Sequence, residues 1–256
     1  MARYYFLLSS LPELSLGGQA DITFEQFKTM LELNLTPQDL SQARLFLSLI
    51  DLRNIRALWL KEPLDPRGSL NEKELDEALL VQDFLPPFVF DFLDRYESVK
   101  DRLHYSSFLF FHFFTYVSEE HSGFLQAYFQ QEREIRLVLA ALRAKKTHRD
   151  IAYELQFEDP TDPLVAHILA QKDMEEYEPP REFEKLKLIF KENYLAPRKL
   201  ALAFLEWRFA MIVELEERFP FFSIDRVLGY MARLYAYENW NSLDEAQGRA
   251  FVDLIA

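Results

Sequence analysis

The chain has 256 residues, 29 of them Lys or Arg and 42 Asp or Glu, for a formal charge of -13. That balance opposes nucleic acid or an anionic bilayer as a general partner, since both attract concentrated positive charge, yet it leaves room for a local basic patch that meets an acidic partner. With no cysteine, disulfides, thiolate catalysis and cysteine-ligated metals are excluded, and a cytoplasmic chain is expected, folded as one large domain or two or three small ones.

In chain order, "RYYFLLSSL" reads as a strand or an extended arm, ended by Gly17 and Gly18. Its apolar run is too short for a signal core or a membrane span. Thr23 and Gln26 stand at capping-box spacing before a helix. Thr36 as cap, Pro37 at the first helical position and Asp39 in the first turn begin the long helix "TPQDLSQARLFLSLIDLRNIRALWLK". Asn71 with Glu74 forms another box, Thr147 and Asp150 repeat the device, and Ser223 starts a late helix. Further helices are predicted over 105–120, 123–145, 181–193, 197–219 and 242–255. Prolines and aspartates punctuate 61–69, 82–89, 156–163 and 177–182 as short turns. The expected fold is all-α with long amphipathic helices, divided as 1–95, 96–175 and 176–256. The aromatic stretch from Leu103 to Val117 is too short to cross a bilayer and reads as a buried helix, with lipid contact as the alternative.

One local pattern recurs in three long helices: Asp51-Leu52-Arg53, Glu134-Ile135-Arg136 and Glu206-Trp207-Arg208, with the acids 83 and then 72 residues apart. Residues two apart on a helix do not face each other, so each acid and arginine must find a partner elsewhere. A charge buried without one would cost several kcal/mol. Internal helix packing, a partner surface and chemistry are the three readings of the pattern.

The three helices resemble the recurring helix of the C subunit of archaeal-type and bacterial V-type ATPases, called subunit d in eukaryotes, in its short divergent bacterial form. Asp51, Asn54 and Ile55 carry the resemblance in the first copy. Glu134, Arg136, Val138 and the basic end Arg143, Lys145 and Lys146 carry it in the second, and Glu206 and Arg208 in the third. The resemblance implies three related helical-bundle lobes around a central hollow, acting as a non-catalytic central-stalk adaptor. Such an adaptor couples the rotor shaft to the membrane rotor ring for ATP-linked ion transport, without a cofactor and peripheral to the membrane. The alternative is an all-helical regulatory or assembly scaffold that binds another protein.

Candidate partner contacts are the basic cluster Arg143, Lys145, Lys146 and Arg149 and the acidic edge Glu175, Glu176 and Glu178, each of which also reads as solvated surface. Aromatic clusters at 85–93 and 219–222 suit either an interface rim or core filling. His104 and His112, eight apart, share a helix face, but that spacing is weak as a metal signal. Glu132 with Glu134, and Glu214 with Glu216 and Glu217, are imaginable acid pairs. No catalytic, cofactor or metal residue is assigned from them.

Overall fold

The computed structural model describes residues 4–18 and 20–243. Among them the chain is all-α, as its punctuation predicts, with thirteen α-helices and one 3-10 turn. The helix predicted over 242–255 falls almost wholly outside the described residues. None of the described helices is long and apolar enough to cross a membrane.

The chain divides into two compact units: Lys28–Phe129, and the described part of 1–27 with 130–256. The first part of the chain holds α1 (Tyr5–Ser10), α2 (Phe24–Asn34), α3 (Pro37–Leu60), α4 (Glu72–Val81), α5 (Pro87–Arg95), α6 (Val99–His104) and α7 (Ser107–Glu120). After it come α8 (Phe124–Thr147), α9 (Ile151–Glu154), α10 (Pro163–Ala170), α11 (Glu184–Asn193), α12 (Pro197–Glu216) and α13 (Ile224–Ser242).

Helix starts follow side-chain chemistry where the partner is local. Thr36 Oγ1 accepts from the Asp39 N–H at 3.2 Å with Pro37 leading α3. Asn71 and Glu74 close a reciprocal box on α4 at 3.0 and 2.9 Å, as do Thr23 and Gln26 on α2 at 3.2 and 2.9 Å. Two starts differ from expectation. Helix α8 runs through Thr147, whose hydroxyl donates back to the Arg143 carbonyl, so Asp150 alone caps α9. Ser223 sits at the cap position of α13, but its hydroxyl is buried without a hydrogen-bond partner.

In the Lys28–Phe129 unit, α3 packs against α4, α6 and α7, and α5 against α7. The aromatic stretch is the buried helix α7, with Phe108, Leu109, Phe113, Phe114 and Val117 inside. Phe92 gathers Trp59, Tyr96 and Phe108 at ring separations of 5.9, 4.9 and 5.7 Å. His112 is one of the aromatic rim, 4.1 Å from the Phe108 ring centroid, and burial holds its pKa below the usual imidazole value.

In the other unit α12 packs along α13, and α11 along α12. The N-terminal segment, whose aromatic and leucine content left strand and arm both open, forms the short helix α1 instead. Leu7 is buried and the Tyr4 N–H donates to the Phe222 carbonyl at 3.0 Å. Tyrosines of α13 strap the residues that follow. Tyr230 Oη donates to the Pro12 carbonyl at 3.0 Å. Tyr237 Oη donates to the Gly18 carbonyl and accepts from the Ala20 N–H, each at 2.8 Å.

Candidate functional site

The acid in the middle of α3 has a structural task. Asp51, 2% exposed, accepts from the Ser69 N–H at 2.8 Å, from the Leu70 N–H at 3.3 Å and from the Ser69 hydroxyl. Three residues on, the Asn54 amide brackets Asp65, donating to its carbonyl at 2.9 Å and accepting from its N–H at 2.8 Å. The two side chains therefore clamp the turn that leads into α4. Gly68 lies so close that a Cβ there would stand 2.5 Å from Asp51 Oδ1 and 2.9 Å from Asn54 Nδ2, which is why the turn needs glycine. Arg53 is exposed.

The other two copies of the pattern have different surroundings. Glu134 is half-buried and accepts from Gln130 at 2.7 Å, and Glu206 is exposed. The deeply buried acids of those helices are Glu132 and Glu216, which the sequence suggested only as members of acid pairs. Glu132 meets Arg208 at 3.3 Å. Glu216 holds Arg226 and Arg233 at 3.4 and 2.9 Å, and a Cβ on Gly229 would meet its Cβ at 2.7 Å. Arg136 is half-buried on α8. The recurrence is thus one of sequence, with no shared environment behind it.

Four of the predicted contact residues come together. Lys145, Lys146, Glu175 and Glu176 line one cavity of about 260 Å³, where Leu142, Tyr177, Phe190 and Tyr194 supply apolar walls and Lys187, Lys191 and His148 complete the rim. Helix α8 ends there because His148 takes a left-handed backbone, φ 54°. Lys145 Nζ reaches across to the carbonyls of Lys172, at 2.7 Å, and Met174, pinning the loop that carries Glu175 to Glu178. Lys187 holds Glu178 at 2.5 Å and Glu176 at 3.7 Å. Lys146 lies 3.9 Å from the Tyr194 ring centroid, a cation–π contact worth about 0.5–1 kcal/mol at an exposed site.

Tyr177 is 1% exposed, its hydroxyl has no hydrogen-bond partner, and burial pushes its phenol pKa far up. Exposed Met174 belongs to the same loop, and exposed Leu188 and Leu195 lie on α11 and two residues beyond its end. Arg143 and Arg149 are exposed outside the cavity, Arg149 pairing with Glu154 at 3.3 Å. Sequence reading missed Lys187, Lys191, Phe190 and Tyr194. Their signal was present in the i, i+4 spacing of both pairs, on α11 and its C-terminal cap residue Tyr194.

A second cavity, of about 400 Å³, includes Glu134, Asp162, Glu182 and His167. Burial raises the pKa of Glu134, with Glu182 and Asp162 adding repulsion. Two of its polar groups are engaged in holding the fold. Asp162 caps α10 and meets Arg133 at 3.0 Å, and the His167 ring bonds the Glu178 carbonyl at 2.9 Å.

The family model that matches the chain, over residues 1–256, carries the description protein of unknown function (DUF2764). An uncharacterized protein of Chlamydia muridarum is 30% identical over 262 residues, covering 100% of this chain and 98% of its own length. One from Chlamydia pneumoniae is 32% identical over 215 residues, 82% of this chain and 81% of its own. No solved structure matches. These findings overturn the resemblance to the C subunit of V-type ATPases. The motif behind it is short, and Asp51, Glu134 and Glu206 stand in three different surroundings.

Proposed function

The chain belongs to the DUF2764 family, and from that premise we propose that it is a non-catalytic, all-helical adaptor that binds another protein through the lysine-rimmed cavity beside the end of α8. One observation carries the reading: on a chain of charge -13, four lysines against two glutamates gather around a cavity with apolar and aromatic walls. Apolar walls with a rim in net lysine excess suit an acidic amphipathic segment, whose apolar side chains enter while its carboxylates meet Lys146 and displace Glu176 from its exposed 3.9 Å pairing with Lys191. A non-catalytic role is favoured by Asp162 and His167 of the second cavity, whose hydrogen bonds and ion pair serve the fold.

The test is a titration of the full chain with a Leu/Glu amphipathic peptide. Binding that weakens about tenfold or more in the Lys146→Glu/Lys191→Glu variant, and falls with salt, supports the reading. Equal affinity of wild type and variant rejects it. The natural partners to offer first are the rotor-shaft and ring subunits of a bacterial V-type ATPase, the expectation already attached to a central-stalk adaptor. Retention that this variant abolishes would make the adaptor a rotary one, and retention of other proteins alone would make it a scaffold.

A further inference from the structure

The tip between α4 and α5, within the Lys28–Phe129 unit, carries a second surface of opposite charge. Leu80, Val81 and Phe84 are 84, 55 and 79% exposed, three large apolar side chains within five residues. The turn that displays them is constrained. Gln82 and Phe84 both adopt left-handed backbone, φ 56° and 65°, a region that bulky side chains rarely enter. Hydrogen bonds hold them there: the Phe84 N–H donates to Asp83 Oδ1 at 2.8 Å, and Gln82 Nε2 donates to Asp94 Oδ1 at 3.2 Å. Pro86 and Pro87 restrict the chain immediately beyond. An unfavourable backbone that keeps a phenyl ring in water is unexplained by the packing of this unit, whose core rings lie elsewhere.

Charge identifies the occupant. Over residues 71–84 five carboxylates stand against the single Lys73, and Asp76 and Glu77 lie one helical turn before Leu80 and Val81, on the same face. We propose that this tip docks a basic amphipathic helix of another protein, with apolar side chains against Leu80, Val81 and Phe84 and lysine or arginine opposite Asp76 and Glu77. The lysine-rimmed cavity would repel such a helix, so the two surfaces select different partners.

The experiment is a titration of the full chain with a Leu/Lys amphipathic peptide, read by fluorescence anisotropy at low and high salt. Phe84→Ser is expected to weaken binding about tenfold or more, and Glu77→Lys to weaken it and flatten its salt dependence. Lys146→Glu/Lys191→Glu leaves this affinity unchanged, and Phe84→Ser leaves the Leu/Glu affinity unchanged, so this proposal and the adaptor reading fail separately. Leu80→Ser provides a second fully exposed position should Phe84→Ser disturb the turn, with circular dichroism confirming that each variant is folded. Unchanged Leu/Lys affinity in both serine variants overturns the proposal. So does a dimer in sedimentation that Phe84→Ser dissociates, because the tip would then be occupied by a second copy.

Discussion

At the scale of single residues, the buried carboxylates determine how far the turns can open. Removing Asp51 leaves the Ser69 and Leu70 N–H groups without their acceptor, so Asp51→Ala should cost about 2–4 kcal/mol in urea unfolding. Asp51→Asn keeps an acceptor oxygen and should cost roughly half as much or less. Burial raises the pKa of Asp51, against the opposing hydrogen bonds from Ser69 and Leu70. The folded state then binds the proton more tightly than the unfolded chain. That contribution is fully present below the unfolded value, about 3.9, and is lost as pH rises through the folded value. Wild type should therefore lose stability relative to Asp51→Asn as pH rises above about 4, and a difference that stays constant with pH would contradict the assignment. None of this clamp was legible in "DLRNIRALWL", because the partners of Asp51 are backbone groups 18 and 19 residues away. The sequence showed only that an acid inside an apolar helix needed some partner.

At the scale of helices, legibility followed distance along the chain. The capping boxes at Thr23 and Asn71 and the cap at Thr36 were readable since both partners lie within three residues. Ser223 looked identical in sequence yet makes no cap, and its buried hydroxyl is unsatisfied. Ser223→Ala should thus be neutral or stabilising by up to about 1 kcal/mol, where a working cap would lose about that amount. A fall in Tm of the alanine variant would restore the cap reading. Gly229 allows the approach of α13 to α12. Alanine there gains about 1 kcal/mol of helix propensity, but its Cβ would stand 2.7 Å from Glu216 Cβ, and overpacking of a fixed backbone neighbour costs about 1–3 kcal/mol. A lower Tm for Gly229→Ala is expected, with a gain in Tm as the contrary result. The cavity was half legible. Lys145, Lys146, Glu175 and Glu176 stood out as charge clusters, whereas their convergence depends on Lys145 reaching carbonyls 27 and 29 residues on.

At the scale of the whole chain, an all-helical fold was readable from sparse glycine, capping signals and weak strand patterning. Attachment of the first residues to α13 was not, because it rests on Tyr230 and Tyr237 bonds spanning more than 200 residues. Kinship was misread for the opposite reason: three similar stretches invited a common origin that their surroundings do not share. On the proposed adaptor reading, a cavity with four lysines against two glutamates in a strongly acidic molecule makes affinity for acidic segments salt-dependent through local charge while net charge opposes it.

The most direct measurement is hydrogen exchange of the full chain with and without a bound acidic partner segment. The adaptor account predicts added protection in the loop 172–178 and at the facing ends of α8 and α11, around Lys146 and Tyr194, lost in Lys146→Glu/Lys191→Glu. Protection confined to other parts of the chain, with those amides unchanged, would contradict it.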